Sequence, residues 1–385
     1  MRRLLPITVL IASACAAAPA GAGAQSVVLP EAVAPGGRLE IRATGLRLPV
    51  RIQERRGAAW LNRGALVLRP GKPARFRAPA TPGRLRLRAR GADGEVTRSA
   101  IVRVRPLTLA AVGDINLGDG PGAMIDRFGA GYPWAGVGRH LRAADLAFGN
   151  LECAVSARGV QQEKTYTFRG RPSSMQAVAQ AGGMDVLNLA NNHSGDFGTT
   201  ALLDTLRAVR KHGMTPVGAG SSEAQAYRPA VVERLGLKVA FVGFETIEPF
   251  GFRAVGGRPG NAWAFPDRVR RSVRVAAAQA DVVIATFHWG IERDVAESAQ
   301  QRALAAVAFA AGATAVIGAH PHVLQPIRRP RAGRLVAYSL GNFVFSANSP
   351  GTNRTGILTL RLGAGRVLGD SFAPAHIVAS RPIMG

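Results

Sequence analysis

Cysteine is almost absent. The chain of 385 residues holds two, Cys15 and Cys153. Cys15 lies in an N-terminal leader, so the mature chain would keep one thiol and no internal disulfide. An exported protein does without a disulfide when its core is large, and this length allows two domains with a sizeable core. Acidic residues are scarce as well: 24 Asp and Glu stand against 49 Lys and Arg, for a formal net charge of +25. Lysine occurs only at Lys72, Lys164, Lys211 and Lys238, so arginine carries that charge. A field of this sign attracts polyanions and anionic surfaces. Beyond the leader no apolar run reaches the roughly 18 residues of a transmembrane helix, which excludes a further span of that kind. The sequence has no internal repeat and no long low-complexity linker.

Residues 1–24 read as a secretory signal. Basic Met1-Arg2-Arg3 precedes an apolar stretch from Leu4 to Ala14, and Ala22-Gly23-Ala24 fits cleavage before Gln25. A second reading is open: Ala12-Ser13-Ala14-Cys15 weakly resembles a lipobox, in which Cys15 is lipidated and becomes residue one. Either way the protein is expected to be exported, to a periplasm or a cell surface.

The charge is unevenly spread. Residues 26–106 contain 18 Lys and Arg and 5 Asp and Glu, a difference of +13. Short alternating runs, Leu39–Ala43, Ala65–Leu68 and Leu85–Arg90, are separated by Pro35-Gly36-Gly37, Pro70-Gly71, Pro82-Gly83 and Gly91–Gly94, which are turn signals. This predicts a small all-β module over 26–106, with an immunoglobulin-like sandwich as the first choice. Arg84, Arg86, Arg88 and Arg90 fall on one face of a strand, either as a solvated surface or as a polyanion-binding one. The candidate partners are an acidic capsule polymer and the phosphates of the envelope surface, in preference to nucleic acid.

From Leu107 to residue 385 strands alternate with helical stretches, Ser174–Ala181, Thr199–His212, Arg268–Ala280 and Glu297–Ala311, which predicts an α/β domain. Two further stretches read as hairpins: Val231–Glu245 around Leu235-Gly236, and Leu335–Leu362 around Ser346–Thr352.

Five apolar runs end directly in polar motifs. Leu107–Val112 leads to Gly113-Asp114-Ile115-Asn116, Leu146–Phe148 to Gly149-Asn150-Leu151-Glu152, and Val186–Ala190 to Asn191-Asn192-His193. Val282–Phe287 leads to His288-Trp289-Gly290, and Ala315–Ile317 to Gly318-Ala319-His320-Pro321-His322. Continuous apolar runs mark buried parallel strands, and ligands bind outside the carboxyl ends of such strands. The motifs would therefore bring carboxylates, carboxamides and imidazoles to one rim, a donor set that suits divalent Zn, Mn or Fe. Asp114 and Asn116, two residues apart, can face one metal. His320 and His322 can reach two adjacent ones. Lys164, Phe168 and Arg169 sit in the polar loop Gln161–Gly170, where a cation would meet a substrate carboxylate or phosphate. Glu292 and Asn342 complete the candidate substrate contacts. His140, His212 and His376 fit no motif and read as surface or structural.

The order Gly-Asp, Asn-Leu-Glu, Asn-Asn-His, His-Trp-Gly, Gly-Ala-His-Pro-His-Val and Ser339-Leu340-Gly341-Asn342-Phe343 resembles the CapA family of bacterial proteins, associated with poly-γ-glutamate capsule synthesis or export. The resemblance runs from about Leu107 to Phe345. It implies a calcineurin-like metallophosphoesterase fold, a four-layer α/β/β/α sandwich, and two metal ions. It also implies roles: Asp114 and His322 on the first metal, Glu152 bridging, Asn192, His288 and His320 on the second, and His193 as general acid. Two positions depart from the superfamily pattern. Asn116 stands where histidine is usual, and Glu152 follows Gly149-Asn150 where the bridging group is usually the aspartate of a Gly-Asp pair. Three readings of function remain open: a metal-dependent hydrolase handling poly-γ-glutamate or a similar envelope polymer, a phosphoesterase acting on an envelope phosphoester, and a non-catalytic polymer-binding export factor.

Overall fold

The computed structural model describes residues 25–68, 72–347 and 349–385; the leader, with Cys15, and the turn at Pro70-Gly71 lie outside the described residues. The chain forms two compact units. One combines residues 25–29, Glu40–Ala74 and Arg86–Ile101, and the other combines Pro30–Leu39, Arg75–Leu85 and Val102–Gly385. The segment 26–106 thus contributes to both.

The larger unit is mixed α/β and is built on two sheets. In the first, the strands run in the order Thr215–Val217, Val186–Asn188, Leu146–Leu151, Leu107–Ile115, Arg354–Gly363, Arg366–Val378 and Arg381–Met384, and Asn342–Val344 also pairs with Leu107–Ile115. The first four are parallel, and the last three join antiparallel. In the second sheet the order is Ala230–Arg234, Leu237–Glu245, Val282–His288, Ala315–Ala319, Leu335–Ala337 and Ile327–Arg328. Its four inner strands are parallel, and the two outer ones antiparallel. All residues of Leu146–Leu151 and Val282–His288 are buried. Strands covered on both faces need apolar side chains in succession, which is why these runs do not alternate.

Successive side chains of each strand serve different cores. Phe148, Val186, Phe241, Ile284 and Ile317 share one cluster between the sheets, where the Phe148 and Phe241 rings stack at 5.7 Å. Leu187 packs with Leu202, Leu206 and Val209 of helix Gly198–Lys211. Val283 and Val316 pack with Val273 and Leu304 of helices Pro266–Gln279 and Ala299–Ala311. Truncating an inner residue such as Ile284 to Ala would cost about 2–5 kcal/mol. Helix Ala299–Ala311 starts from a capping box between Ser298 and Gln301 and stops at Gly312, whose φ of 116° closes the last turn.

Three points differ from the sequence reading. The five motif-bearing strands, expected at one rim, are divided between two sheets. The stretch Leu335–Leu362 is not a hairpin: Leu335–Ala337 pairs parallel with Ala315–Ala319 in the second sheet, while Arg354–Gly363 pairs with Leu107–Ile115 and Arg366–Val378 in the first. The chain changes sheets through Ser339–Gly341, where Gly341 has φ 65°. Helix Asp119–Phe128 was hidden by Gly120, Pro121 and Gly122 in its first turn, residues that weaken a helical pattern. The hairpin of Ala230–Arg234 with Leu237–Glu245 forms as expected, with Leu235 and Gly236 both at positive φ in the turn.

In the smaller unit, Val50–Arg56 pairs antiparallel with Ala59–Leu68 and with Arg90 to Leu87 of strand Gly83–Arg90. Leu87 and Ala89 are buried, Arg86 and Arg90 exposed, and Arg88 half-buried, as the period of two requires. No helix among the described residues is long and apolar enough to cross a membrane.

Candidate metal centre at the strand ends

Asp114 is the penultimate residue of Leu107–Ile115 in the first sheet, in register with Asn150 on one side and Asn342 on the other. His288 ends a strand of the second sheet, in register with Glu245 and Ala319. Two glycines let the chain close up here. A Cβ on Gly113 would lie 1.8 Å from the Gly341 carbonyl oxygen, and one on Gly318 2.0 Å from that of Tyr338. His320 and His322 lie on the loop after Ala315–Ala319, at φ 98° and 59°. Such left-handed backbone is uncommon outside glycine and persists where surrounding structure imposes it, often at functional sites.

The two sheets meet through these side chains. The His320 N–H donates to Asp114 Oδ2 at 3.3 Å, and His322 Nδ1 lies 3.3 Å from the same oxygen. Asn150 Nδ2 donates to Asp114 Oδ1 at 2.8 Å and lies 3.1 Å from His288 Nδ1. His288 Nε2 is 2.9 Å from Asn192 Oδ1 and 3.3 Å from Glu152 Oε1. Glu152 is wholly buried, and neither of its oxygens has a hydrogen-bond partner. His322 Nδ1 is also 2.8 Å from Asn342 Oδ1.

Two groups of donors have ligand atoms within 4.8 Å of one another: Asp114, Glu152 and His288, and Glu152, His320 and His322. Glu152 belongs to both, the position a bridging carboxylate would take. Burial and the neighbouring Asp114 charge raise the Glu152 pKa well above the carboxylate range. Burial pushes His288 and His320 well below the usual imidazole value, helped by the neighbouring histidines. Burial also pulls on His322, but hydrogen bonding to Asp114 and the charges of Asp114 and Glu292 raise it overall. The neutral imidazoles of His288 and His320 and a buried carboxyl without a hydrogen-bond partner are what a divalent cation needs: the cation favours the ionised carboxylate and takes unprotonated nitrogen. His320 Nδ1 is likewise buried without a partner. The residues present fit metal.

His193 stands beside this cluster with Nε2 4.0 Å from Glu152 Oε1. Its Nδ1 lies 2.7 Å from Asp196 Oδ2, and its ring stacks on Phe168 at 4.2 Å. Burial lowers its pKa against the pull of Asp196. Lys164 binds Asp196 Oδ1 at 2.6 Å and the Asn192 carbonyl at 2.5 Å.

Asp114, Glu152, Asn192, His193, His288, His320, His322, Lys164 and Asn342 thus converge, while two residues have other placements. Asn116 is buried, but its Oδ1 accepts the Gly118 N–H at 2.8 Å, closing a local turn, and its Nδ2 has no partner. Arg169 lies with its guanidinium 3.6 Å from the Phe197 ring centroid and donates to the Gly159 carbonyl. Glu292 is exposed yet close enough for its charge to act on His322. His140 and His376 are exposed, and His212 is half-buried. Three residues of the site carry no sequence signal for their roles. Asp196 looked like any loop aspartate. Asn150 lies in a motif whose spacing does not reveal that it joins Asp114 to His288. Glu245 ends a strand without a motif around it.

Carboxylates, carboxamides and imidazoles thus pool at the strand ends of a two-sheet α/β unit, an arrangement in keeping with the metallophosphoesterase-like superfamily. Residues 108–347 match the family model "Bacterial capsule synthesis protein PGA_cap", and the chain belongs to that family, a branch of the metallophosphoesterase-like superfamily. It is 34% identical over 247 residues to "Capsule biosynthesis protein CapA" of Bacillus anthracis, an alignment covering 62% of this chain and 60% of the relative. It is 33% identical over 266 residues to "PGA biosynthesis protein CapA" of Bacillus subtilis (strain 168), covering 68% and 70%. The matched part of the chain therefore spans three-fifths of the first relative's length.

Proposed function

We propose that the chain is an exported envelope protein that acts in the synthesis, processing or export of capsular poly-γ-glutamate, or a similar anionic polymer, through a metal-dependent hydrolase-like site. The observation that carries this reading is Glu152, buried without a partner and common to two groups of metal-type donors, in a chain of the capsule synthesis family. The names of the two Bacillus relatives supply the polymer. Within this reading the two-sheet unit is a calcineurin-like four-layer sandwich, and the N-terminal β segment is immunoglobulin-like. A leader cleaved before Gln25 or lipidated at Cys15 would take the protein to a periplasm or a cell surface.

Asp114, Glu152, Asn192, His288, His320 and His322 would hold divalent ions of the Zn, Mn or Fe type. Bound metal would supply Lewis acidity and a deprotonated water. His193 in its doubly protonated form would give the leaving group its Nε2 proton and revert to the neutral ring, while Asp196 keeps accepting the Nδ1 proton and Phe168 holds the ring. Lys164 sets a cation beside His193, where a substrate carboxylate or phosphate would be met.

A phosphoester substrate is the second reading, favoured by superfamily membership. The test is to measure bound metal in the purified chain, then follow poly-γ-glutamate chain length and a phosphodiester reporter with and without chelator. Chelator-sensitive shortening of the polymer supports the first reading, and action on the reporter alone supports the second. Metal-free, inert protein that still binds polymer would leave an export factor.

A further inference from the structure

The smaller unit lies outside the matched region, and one sheet face in it carries charge without compensation. Residues directly opposite across antiparallel strands share a face. Arg51 is opposite Arg90, Gln53 opposite Arg88, and Arg55 opposite Trp60. Arg86 joins them by alternation with Arg88. Five arginines and one tryptophan therefore share this face, and two of the arginines, Arg55 and Arg88, lie over the ring. The three strands contain a single acidic residue, Glu54, which points to the other face and is held there by Arg63 at 2.7 Å and Arg56 at 3.5 Å.

Two features indicate a built surface rather than a scatter of solvated charges. Arg88 is held in place: its Nε donates to Gln53 Oε1 at 2.8 Å, and Gln53 Nε2 donates to Asn62 Oδ1 at 3.0 Å. Its guanidinium sits 4.3 Å from the Trp60 ring centroid, with that of Arg55 at 5.7 Å. Arg51 and Arg90 face each other directly, an arrangement of like charges that destabilises a sheet unless an anion lies between them. Burial and the charges of Arg90 and Arg55 hold the Arg88 pKa below its usual value, which is the electrostatic signature of that crowding.

We propose that this face is a second binding surface, separate in chemistry from the metal centre, which grips a flexible polycarboxylate chain through Arg51, Arg55, Arg86, Arg88 and Arg90 over Trp60. Same-face side chains recur about every 6.5–7 Å along a strand and about 4.8 Å across strands. The guanidiniums thus form a grid onto which successive carboxylates of an extended chain can be placed, each fork taking one carboxylate in bidentate fashion. An anionic membrane is the poorer fit, because the guanidinium of Arg88 stacks over the Trp60 ring that would have to insert. The naming of a polycarboxylate rests on the function proposed above; the arginine face does not.

The experiment titrates the full chain with poly-γ-glutamate of defined length, and separately with phosphatidylglycerol vesicles, at about 0.05 M and about 0.5 M salt, which differ severalfold in screening length. Arg51→Gln/Arg86→Gln/Arg90→Gln removes three exposed cations and should leave the fold intact, which circular dichroism checks. The expected result is polymer binding weakened at least roughly tenfold in the triple variant and by high salt, as for exposed charge-assisted contacts. Trp60 provides a second readout: the polymer should alter the emission of the parent but not of Trp60→Phe. Binding within about twofold of the parent in the triple variant, or binding to vesicles without binding to polymer, overturns the proposal. Polymer bound through this face with no metal-dependent action on it would sink the function proposed above and leave this surface standing; chelator-sensitive action with undiminished binding by the triple variant would do the reverse.

Discussion

His193 Nδ1 and Asp196 Oδ2 lie 2.7 Å apart, and the same carboxylate accepts the Phe168 N–H at 2.7 Å and the Lys164 ammonium at 2.6 Å. Asp196 thereby fixes the ring that faces Glu152 while making no contact with the metal-type donor groups. Asp196→Asn keeps the shape and removes the charge. Bound metal should stay at the parent level, and turnover of the substrate identified above should fall about 10–100-fold, the usual loss when a partner that orients a functional histidine is removed. Metal content and turnover falling together would make Asp196 a structural residue only.

The donor groups make a contrasting prediction. His320→Ala and Asp114→Ala each remove a ligand, so metal measured by mass spectrometry after dialysis should drop sharply in both. His193→Ala should retain metal and lose roughly 10²–10⁴-fold in rate, the range for a general acid. Equal metal loss in all three would mean that ligand and acid roles are misassigned.

Much of this site was legible because each motif follows an apolar run, and a buried parallel strand can hardly be written otherwise. The structure adds the reason for Gly113, Gly149 and Gly318 in these motifs: a Cβ at any of them would run into neighbouring atoms. Sequence periodicity could not divide the strands between sheets, since a strand buried on both faces reads alike in either. Nor could it tell that Asn116 spends its oxygen on the Gly118 N–H, or that Asp196 rather than solvent meets Lys164. Those facts depend on loop paths. The error over Leu335–Leu362 has the same root: two apolar runs around a Gly- and Asn-containing loop look like a hairpin whether the chain turns back or crosses to another sheet.

Cys153 is fully buried, and burial pushes its thiol up to about 12. The thiolate is the reactive form, so almost none exists at neutral pH. The native protein should give no reaction with a thiol-specific reagent over the time in which the urea-unfolded protein reacts fully. Fast labelling of the native chain, with Cys153 found modified by mass spectrometry, would show that the Leu117–Cys153 region opens readily.

Glu245 predicts a pH dependence of stability. Its side chain is wholly buried; Asn261 Nδ2 donates to Oε1 at 2.9 Å, and Oε2 has no partner. Burial raises its pKa from 4.5 to about 8, although Asn261 and the Lys164 charge act the other way. Between those values the unfolded chain has released this proton and the folded chain still holds it. Stability is therefore fullest below the unfolded value and declines as pH rises toward the folded one, by at most about 5 kcal/mol at roughly 1.4 kcal/mol per pKa unit. Glu245→Gln keeps the oxygen that Asn261 uses and cannot ionise. Urea unfolding from pH 5 to pH 9 should find the two proteins close at pH 5 and the variant ahead by a few kcal/mol at pH 9. Other buried groups, Glu152 among them, titrate equally in both and cancel in the difference. Parallel pH profiles would mean that Glu245 reaches solvent or a cation when it ionises.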